Sequence, residues 1–283
     1  MIDRAELEAL VRKAVEEALR ADSPPAKVAP AEEACVDGCK PRVVPMPPVR
    51  DPLALKKLIE QTPARVAQGR TGTRYLTRTY VGIRAEHAIA RDAVESEVPG
   101  GFAEKLGCLA LATRCPDKAT YLLQPDLGRR LSDASRALLE KEGTRGADVQ
   151  IILADGLSSW AIVRQAEALL PALTQALKAL GYSVGRPLFV TFARIGVQDE
   201  VGVLTQARAT VIAVGERPGL GTGDSLSLYT AVGPRLNQDN AEKNCISNIR
   251  PLGMSTGEAA SACAELLRRS FAAGGGGLKL VRT

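Results

Sequence analysis

DVQIILA at residues 148–154, followed by SSWAIVRQAEALLPALTQALKAL at 158–180, decides the fold class. The first run is apolar on both faces and short, as in a buried parallel strand, and the second carries the period of a helix. PLFVTFA at 187–193 and ATVIAVG at 209–215 repeat the strand signal after helical spacers. Strands alternating with helices imply a parallel or mostly parallel sheet covered by helices. A last helix is predicted over about Thr256 to Phe271, before the glycines at 274–277.

Upstream, the segment from Arg74 to Val98 has long helical patterning, with Leu76, Tyr80, Ile83, His87 and Val94 on one side. Asp51-Pro52 reads as an N-cap followed by proline at the first helical position. Prolines 24, 25, 30, 41, 45, 47 and 48 mark a linker. Before it, Leu7, Leu10, Val11, Ala14, Val15 and Ala18 form one face of a short amphipathic helix, opened by Asp3 and Glu6 in a capping pattern. That helix either docks on another protein or is a tail whose amphipathicity has no use. The expected organisation is an N-terminal helix at 1–20, a Pro-rich linker at 21–50, a helical region at 51–145 and an α/β domain at 146–283. The fold class is α/β: a helical N-terminal region followed by a Rossmann-like, mostly parallel domain.

Composition excludes several functions. The 283 residues are 45% hydrophobic and 24% charged, and no apolar run approaches the roughly 20 residues of a membrane span. Without a signal-peptide pattern the chain is expected in the cytoplasm. The net charge of +5 comes from 37 basic against 32 acidic residues, with 4% aromatics, which is no nucleic-acid-binding pattern. The six cysteines read as reduced thiols, and Cys35 and Cys39 lack the second pair that a zinc site needs.

Strand ATVIAVG runs into ERPGLGTGDSLS, so Glu216, Arg217, Gly219, Gly221, Gly223, Asp224 and Ser225 are expected along a crevice at the carboxyl edge of the sheet. The loop lacks a P-loop lysine and the G-x-G-x-x-G spacing, and on loop chemistry alone a tight turn whose Asp224 or Ser225 caps the next helix is the favoured reading. Loops after the other two strands offer Asp155 and Ser158, and Arg194, Ile195, Asp199 and Glu200. Ser158 has no G-x-S-x-G elbow and reads as a helix cap. The one histidine, His87, reads as a core residue, so imidazole chemistry is absent and the chain alone is poorly equipped for acid–base work. In NCISNIRP, Asn244, Cys245, Ser247, Asn248 and Arg250 could satisfy a ligand or cap a helix beginning near Asp239.

TPARVAQGRTGTRYLTRTY from Thr62, HAIARDAV from His87, YLLQPDLGRRL, RIGVQDEVG, GERPGLGTGDSLS and NCISNIRP together resemble the small subunits of ethanolamine ammonia-lyases, in order from Thr62 to Pro251. Glu86, where aspartate is expected, is one mild departure. The resemblance implies an adenosylcobalamin-dependent lyase that converts ethanolamine to acetaldehyde and ammonia by radical chemistry. The small subunit would close over cobalamin held against a large catalytic subunit, with no activity alone and no catalytic or metal-ligating residue of its own. Carried over by motif, Ile195, Glu216 and Cys245 would contact the cofactor: Glu216 as acceptor for a corrin amide, Ile195 by an apolar or backbone contact, Cys245 by packing. The absence of a D-x-H-x-x-G pattern agrees with a cofactor that keeps its own benzimidazole ligand. Arg65, Arg70, Arg74 and Arg78, three of them at helical spacing, would help hold the large subunit. The N-terminal helix resembles the segments that package enzymes in bacterial microcompartments, where shell proteins would be its partners. The competing function is a stand-alone, non-enzymatic module binding cobalamin or a nucleotide phosphate.

Overall fold

The computed structural model describes residues 50–62 and 64–281, so helix 1–20, the linker up to Val49 and the Cys35–Cys39 pair lie outside the described residues. The chain forms two compact units, one reaching Leu76 and the other running from Thr77. In the first, α1 (Pro52–Glu60) starts where the Asp-Pro pair predicts, with the Asp51 carboxylate accepting from the Leu53 and Ala54 amides at 3.1 and 3.0 Å. Strands β1 (Arg70–Thr71) and β2 (Arg74–Tyr75) then form a hairpin in which Arg70 lies over the Tyr75 ring, 4.7 Å from its centroid. The helical alignment of Arg70, Arg74 and Arg78 is therefore incorrect: the first two sit on facing strands and only Arg78 is in a helix.

The second unit opens with α2 (Thr77–Glu95), α3 (Phe102–Lys105), β3 (Leu109–Ala112), α4 (Lys118–Leu123), a 3-10 turn at Leu127–Arg129 and α5 (Asp133–Glu142). It continues through β4 (Val149–Ala154), α6 (Ser159–Ala179), β5 (Leu188–Thr191), α7 (Val197–Thr205), β6 (Ala209–Gly215) and β7 (Leu226–Val232). A second 3-10 turn (Asn240–Glu242), β8 (Asn244–Ile249), α8 (Thr256–Ala272) and α9 (Leu278–Val281) complete it. The six-stranded sheet has the order β3-β5-β4-β6-β7-β8, with parallel pairing up to β6 and antiparallel pairing beyond. The mixed, mostly parallel α/β class is as the sequence predicts.

Two expectations need correction. The 51–145 segment is not wholly helical, because Leu109–Ala112 is a strand of the main sheet, paired in parallel with β5. His87 is exposed instead of lying in the core, and only Thr79 and Ala93 of α2 are buried. The apolar stripe of α2 is interrupted by Arg84 and Arg91, which leaves little of it to pack.

Alternation along the strands sorts the core into two layers. Val149, Ile151, Leu153, Val211, Ala213, Leu226 and Leu228 face α6 and α8, whereas Ile152, Leu188, Val190, Ile212 and Val214 face Val197 and Val201 of α7. Each fully buried Leu, Ile or Val contributes about 1.5–3 kcal/mol of transfer free energy. On the first face α8 extends over β7 and β8. On the second face α7 packs on β4 and β6, and the next two strands carry polar residues there. That bare strip of sheet is where the crevice forms.

Candidate functional site

Three loops leave the carboxyl ends of β4, β5 and β6. The first does not feed the crevice with polar groups. Asp155 is buried and accepts from the amides of Gly156 and Phe192 at 2.8 Å each and of Ala193 at 3.1 Å, so its carboxylate ties the loop after β4 to the loop after β5. Burial pushes its pKa up, against the pull of those amides and of Lys118. Ser158 is fully buried; its Oγ accepts from the Ala161 amide at 3.3 Å, capping α6, and donates to the Gly223 carbonyl at 2.5 Å. It is a cap, as the sequence indicates. Ser158→Ala is expected to cost about 2 kcal/mol through the lost cap and the orphaned carbonyl. A urea denaturation curve checks the value, and binding by the folded fraction should stay at the wild-type level.

The loop after β5 supplies Arg194, Ile195 and Gly196, and the strand end of β6 supplies Gly215 and Glu216. With the strip on β7 and β8 they line a crevice of about 760 Å³. Ser227 and Tyr229 of β7 face it beside Cys245 and Ser247 of β8, because Tyr229 is paired with Cys245 in the ladder and the side chains alternate. Ile195, Glu216 and Cys245, drawn from three separate motifs, thus lie in one crevice. Of the glycine-rich loop only Glu216 and Arg217 line it. Gly219, Gly221, Gly223, Asp224 and Ser225 do not: Gly219 bridges Thr222, and Asp224 pairs with Arg164 at 3.1 Å. The loop leads into strand β7 and caps no helix. NCISNI is itself a strand, and Asp239 caps only the short 3-10 turn.

Hydrogen bonding leaves Glu216 half-committed. Ser227 Oγ donates to its Oε1 in a close contact and the Asn248 amide donates to the same oxygen at 3.2 Å. Among the described residues no donor is bonded to Oε2. Cys245 is exposed, with its thiol 4.0 Å from Ser227 Oγ. Burial, then the neighbouring Cys245 and Glu216, push the Tyr229 phenol up to about 12, so it stays protonated at neutral pH. Deeper, Lys243 and Asp199 form a buried ion pair at 2.8 Å, with the Gln238 amide donating to Asp199 at 3.1 Å. Burial raises the Asp199 pKa and Lys243 opposes it. Gln238 Oε1, on a buried side chain of the lining, has no hydrogen-bond partner among the described residues.

The lining holds five cationic side chains, Arg129, Arg130, Arg194, Arg217 and Lys243, against Asp199 and Glu216. His87 is not part of it. Sequence reading did not reach Arg129, Arg130, Ser227, Tyr229 and Lys243 as site residues. The alternation in LSLYTAV could have indicated Ser227 and Tyr229; nothing local marks the others. Among the described residues no group of three His, Cys, Asp or Glu side chains could hold a metal ion, and no helix is long and apolar enough to cross a membrane.

The fold is a mixed, mostly parallel α/β domain, and its crevice brings hydrogen-bond acceptors and cations together. The family model for the ethanolamine ammonia-lyase light chain matches residues 52–281. The ethanolamine ammonia-lyase small subunit of Clostridium perfringens is 41% identical over 208 residues, covering 74% of this chain and 70% of its own length. That of Fusobacterium nucleatum is 39% identical over 213 residues, covering 75% and 72%. The chain belongs to the ethanolamine ammonia-lyase light-chain family. The designation of these relatives as small subunits implies a large-subunit partner.

Proposed function

We propose that the chain is the cobalamin-gripping subunit of an adenosylcobalamin-dependent ethanolamine ammonia-lyase, inactive without its large subunit. The observation that carries this reading is the convergence of Ile195, Glu216 and Cys245, from three separate motifs, on one crevice. Cobalamin has an apolar macrocycle rimmed by primary amides and a tail containing one phosphodiester. The lining fits such a molecule: Glu216 Oε2 and the unpartnered Gln238 Oε1 can accept from amides, and Ile195, Leu157 and Val214 offer apolar contact.

When bound, the cofactor supplies the radical chemistry that releases ammonia from ethanolamine and leaves acetaldehyde. This chain's residues bind, orient and exclude water. Ser227 and the Asn248 amide fix Glu216 by its Oε1, so that Oε2 is presented without rotamer freedom to lose on binding. Tyr229 stays protonated and Cys245 packs beside it. Residues 1–20 serve in the same proposal as a packaging segment for a microcompartment shell, and the arginines at 65, 70, 74 and 78 as contacts to the large subunit.

Ammonia release from ethanolamine, assayed with this chain, the large subunit and adenosylcobalamin and then with each omitted, tests the reading. It requires all three. Cobalamin binding by this chain alone, with no dependence on a partner, would favour the stand-alone module. Glu216→Gln keeps the acceptor for Ser227 and Asn248 but turns the crevice-facing oxygen into a donor. The cofactor concentration for half-maximal activity is expected to rise about tenfold, the loss of a hydrogen bond to a charged group, with turnover at saturation nearly unchanged.

A further inference from the structure

One wall of the crevice carries an arginine pair that the protein itself does not neutralise. The turn after α4 and the loop after β5 are locked together, since the Arg194 amide donates to the Gly128 carbonyl at 2.7 Å. This sets Arg130 and Arg194 on the same lining. Arg194 is held in place through its apolar face: its guanidinium stacks 4.2 Å from the Tyr121 ring centroid and donates once, to the Tyr121 carbonyl at 2.9 Å, leaving Nε buried without a partner. Tyr121 is itself fixed, with its hydroxyl donating to the Ala193 carbonyl at 3.0 Å. Arg130 donates once, to Asn237 Oδ1 at 2.6 Å.

Among the described residues, neither guanidinium has a carboxylate within ion-pairing distance. Asp199, whose carboxyl feels the field of Arg130, is taken by Lys243 at 2.8 Å, and Arg129 on the same turn pairs with Asp126 at 3.3 Å. A guanidinium presents five donors in a planar fork that matches the oxygens of a phosphate. Two such forks, oriented by neutral acceptors and lacking a counter-ion, form an anion site. The Glu216 carboxylate and the Ser227, Tyr229 and Cys245 strip belong to β6, β7 and β8 and their loops, so Arg130 and Arg194 stand on different elements from Glu216, whose own side also carries Arg217 and Lys243.

We infer that Arg130 and Arg194 form a phosphodiester subsite that selects corrinoids with a nucleotide tail over those without one. This rests on the cobalamin reading and adds to it a residue-level cause of selectivity. The amide-rimmed macrocycle engages the Glu216 wall, and the tail's phosphodiester, the one anionic group of the ligand, engages the arginine wall.

Equilibrium dialysis of the chain assembled with its large subunit, against cobalamin and against cobinamide, which has the same corrin and amides without the nucleotide tail, tests this. Arg130→Gln and Arg194→Gln are each expected to weaken cobalamin binding by about ten- to a hundredfold, the loss of a charge-assisted pair, and to leave cobinamide binding unchanged. Among the described residues the Arg130 guanidinium hydrogen-bonds the neutral Asn237 side chain and stacks on no ring, so its variant reports on binding even if removal of the Arg194 stack on Tyr121 unfolds the chain. Parallel weakening of both ligands, or no weakening of cobalamin by Arg130→Gln, would overturn the inference while leaving the cofactor reading standing. So would millimolar inorganic phosphate that binds the assembled wild type without competing with cobalamin, since the arginines would then serve a free anion. Failure of the wild-type assembly to bind either corrinoid would overturn the cofactor reading and the subsite with it.

Discussion

Gly215→Ala is expected to cost the second unit about 3–5 kcal/mol of stability, the range of severe overpacking against groups that cannot yield. A Cβ at Gly215 would lie 2.0 Å from the Ser158 carbonyl oxygen and 2.6 Å from that of Asp155, both backbone atoms. The opposing position is equally tight: Gly156 has φ +64, and a Cβ there would meet the Gly215 oxygen at 2.4 Å. The end of β6 and the loop after β4 therefore touch backbone to backbone, and the Leu157 amide donates to the Gly215 carbonyl at 3.1 Å. Relief requires moving β6 away from β4, against six paired positions in a fully buried strand. Glu216 follows directly, so the residual folded population should also bind cofactor poorly. A urea denaturation midpoint measures the first effect, and a midpoint within experimental error of wild type would show that the loops have slack the close contacts deny.

Lys243→Met is the second large effect. It leaves Asp199 buried without its counter-charge, which typically costs about 3–5 kcal/mol. Both side chains are almost completely enclosed, at 2% and 4% exposure, so water cannot replace the ammonium. The double variant Asp199→Leu, Lys243→Met should regain part of the loss, because no charge is then stranded, but not all of it. The Gln238 amide, which donates to Asp199 at 3.1 Å, loses its acceptor. Denaturation of the single and double variants checks the order; a double variant less stable than Lys243→Met would mean that the pair stabilises the fold beyond the mutual cancellation of its charges.

Strands β4, β5 and β6 were readable because burial on both faces makes each stand out as an apolar run. ATVIAVG is a strand over its full length and the helix after Ser158 ends one residue before its expected limit. Strands β7 and β8 were not, since polar residues interrupt LSLYTAV and NCISNI and resemble a loop rich in hydrogen-bonding groups. Leu109–Ala112 escaped because this edge strand is exposed at Ala110 and consists of leucine and alanine, which favour helix, where β5 has Phe189 and Val190. The arginine hairpin illustrates the opposite error: a four-residue spacing satisfied the helical rule, but Gly72, at φ +60, turns the chain between Arg70 and Arg74.

The site divides in the same way. Glu216 and Ile195 follow directly on strands that were legible, where the carboxyl-edge rule places ligand contacts. Arg130 and Lys243 reach the crevice only through tertiary contacts, with Asn237 and with Asp199, which span 107 and 44 residues of sequence. No local pattern encodes such a meeting.

The most direct test of the cofactor-gripping role is the cobalt retained after gel filtration with excess adenosylcobalamin by this chain alone, the large subunit alone, and the two mixed. Stoichiometric cobalt held only by the mixture is the expected result, because in the proposal the crevice supplies one side of the cofactor's enclosure. A large subunit that retains as much cobalt alone as in the mixture would contradict it.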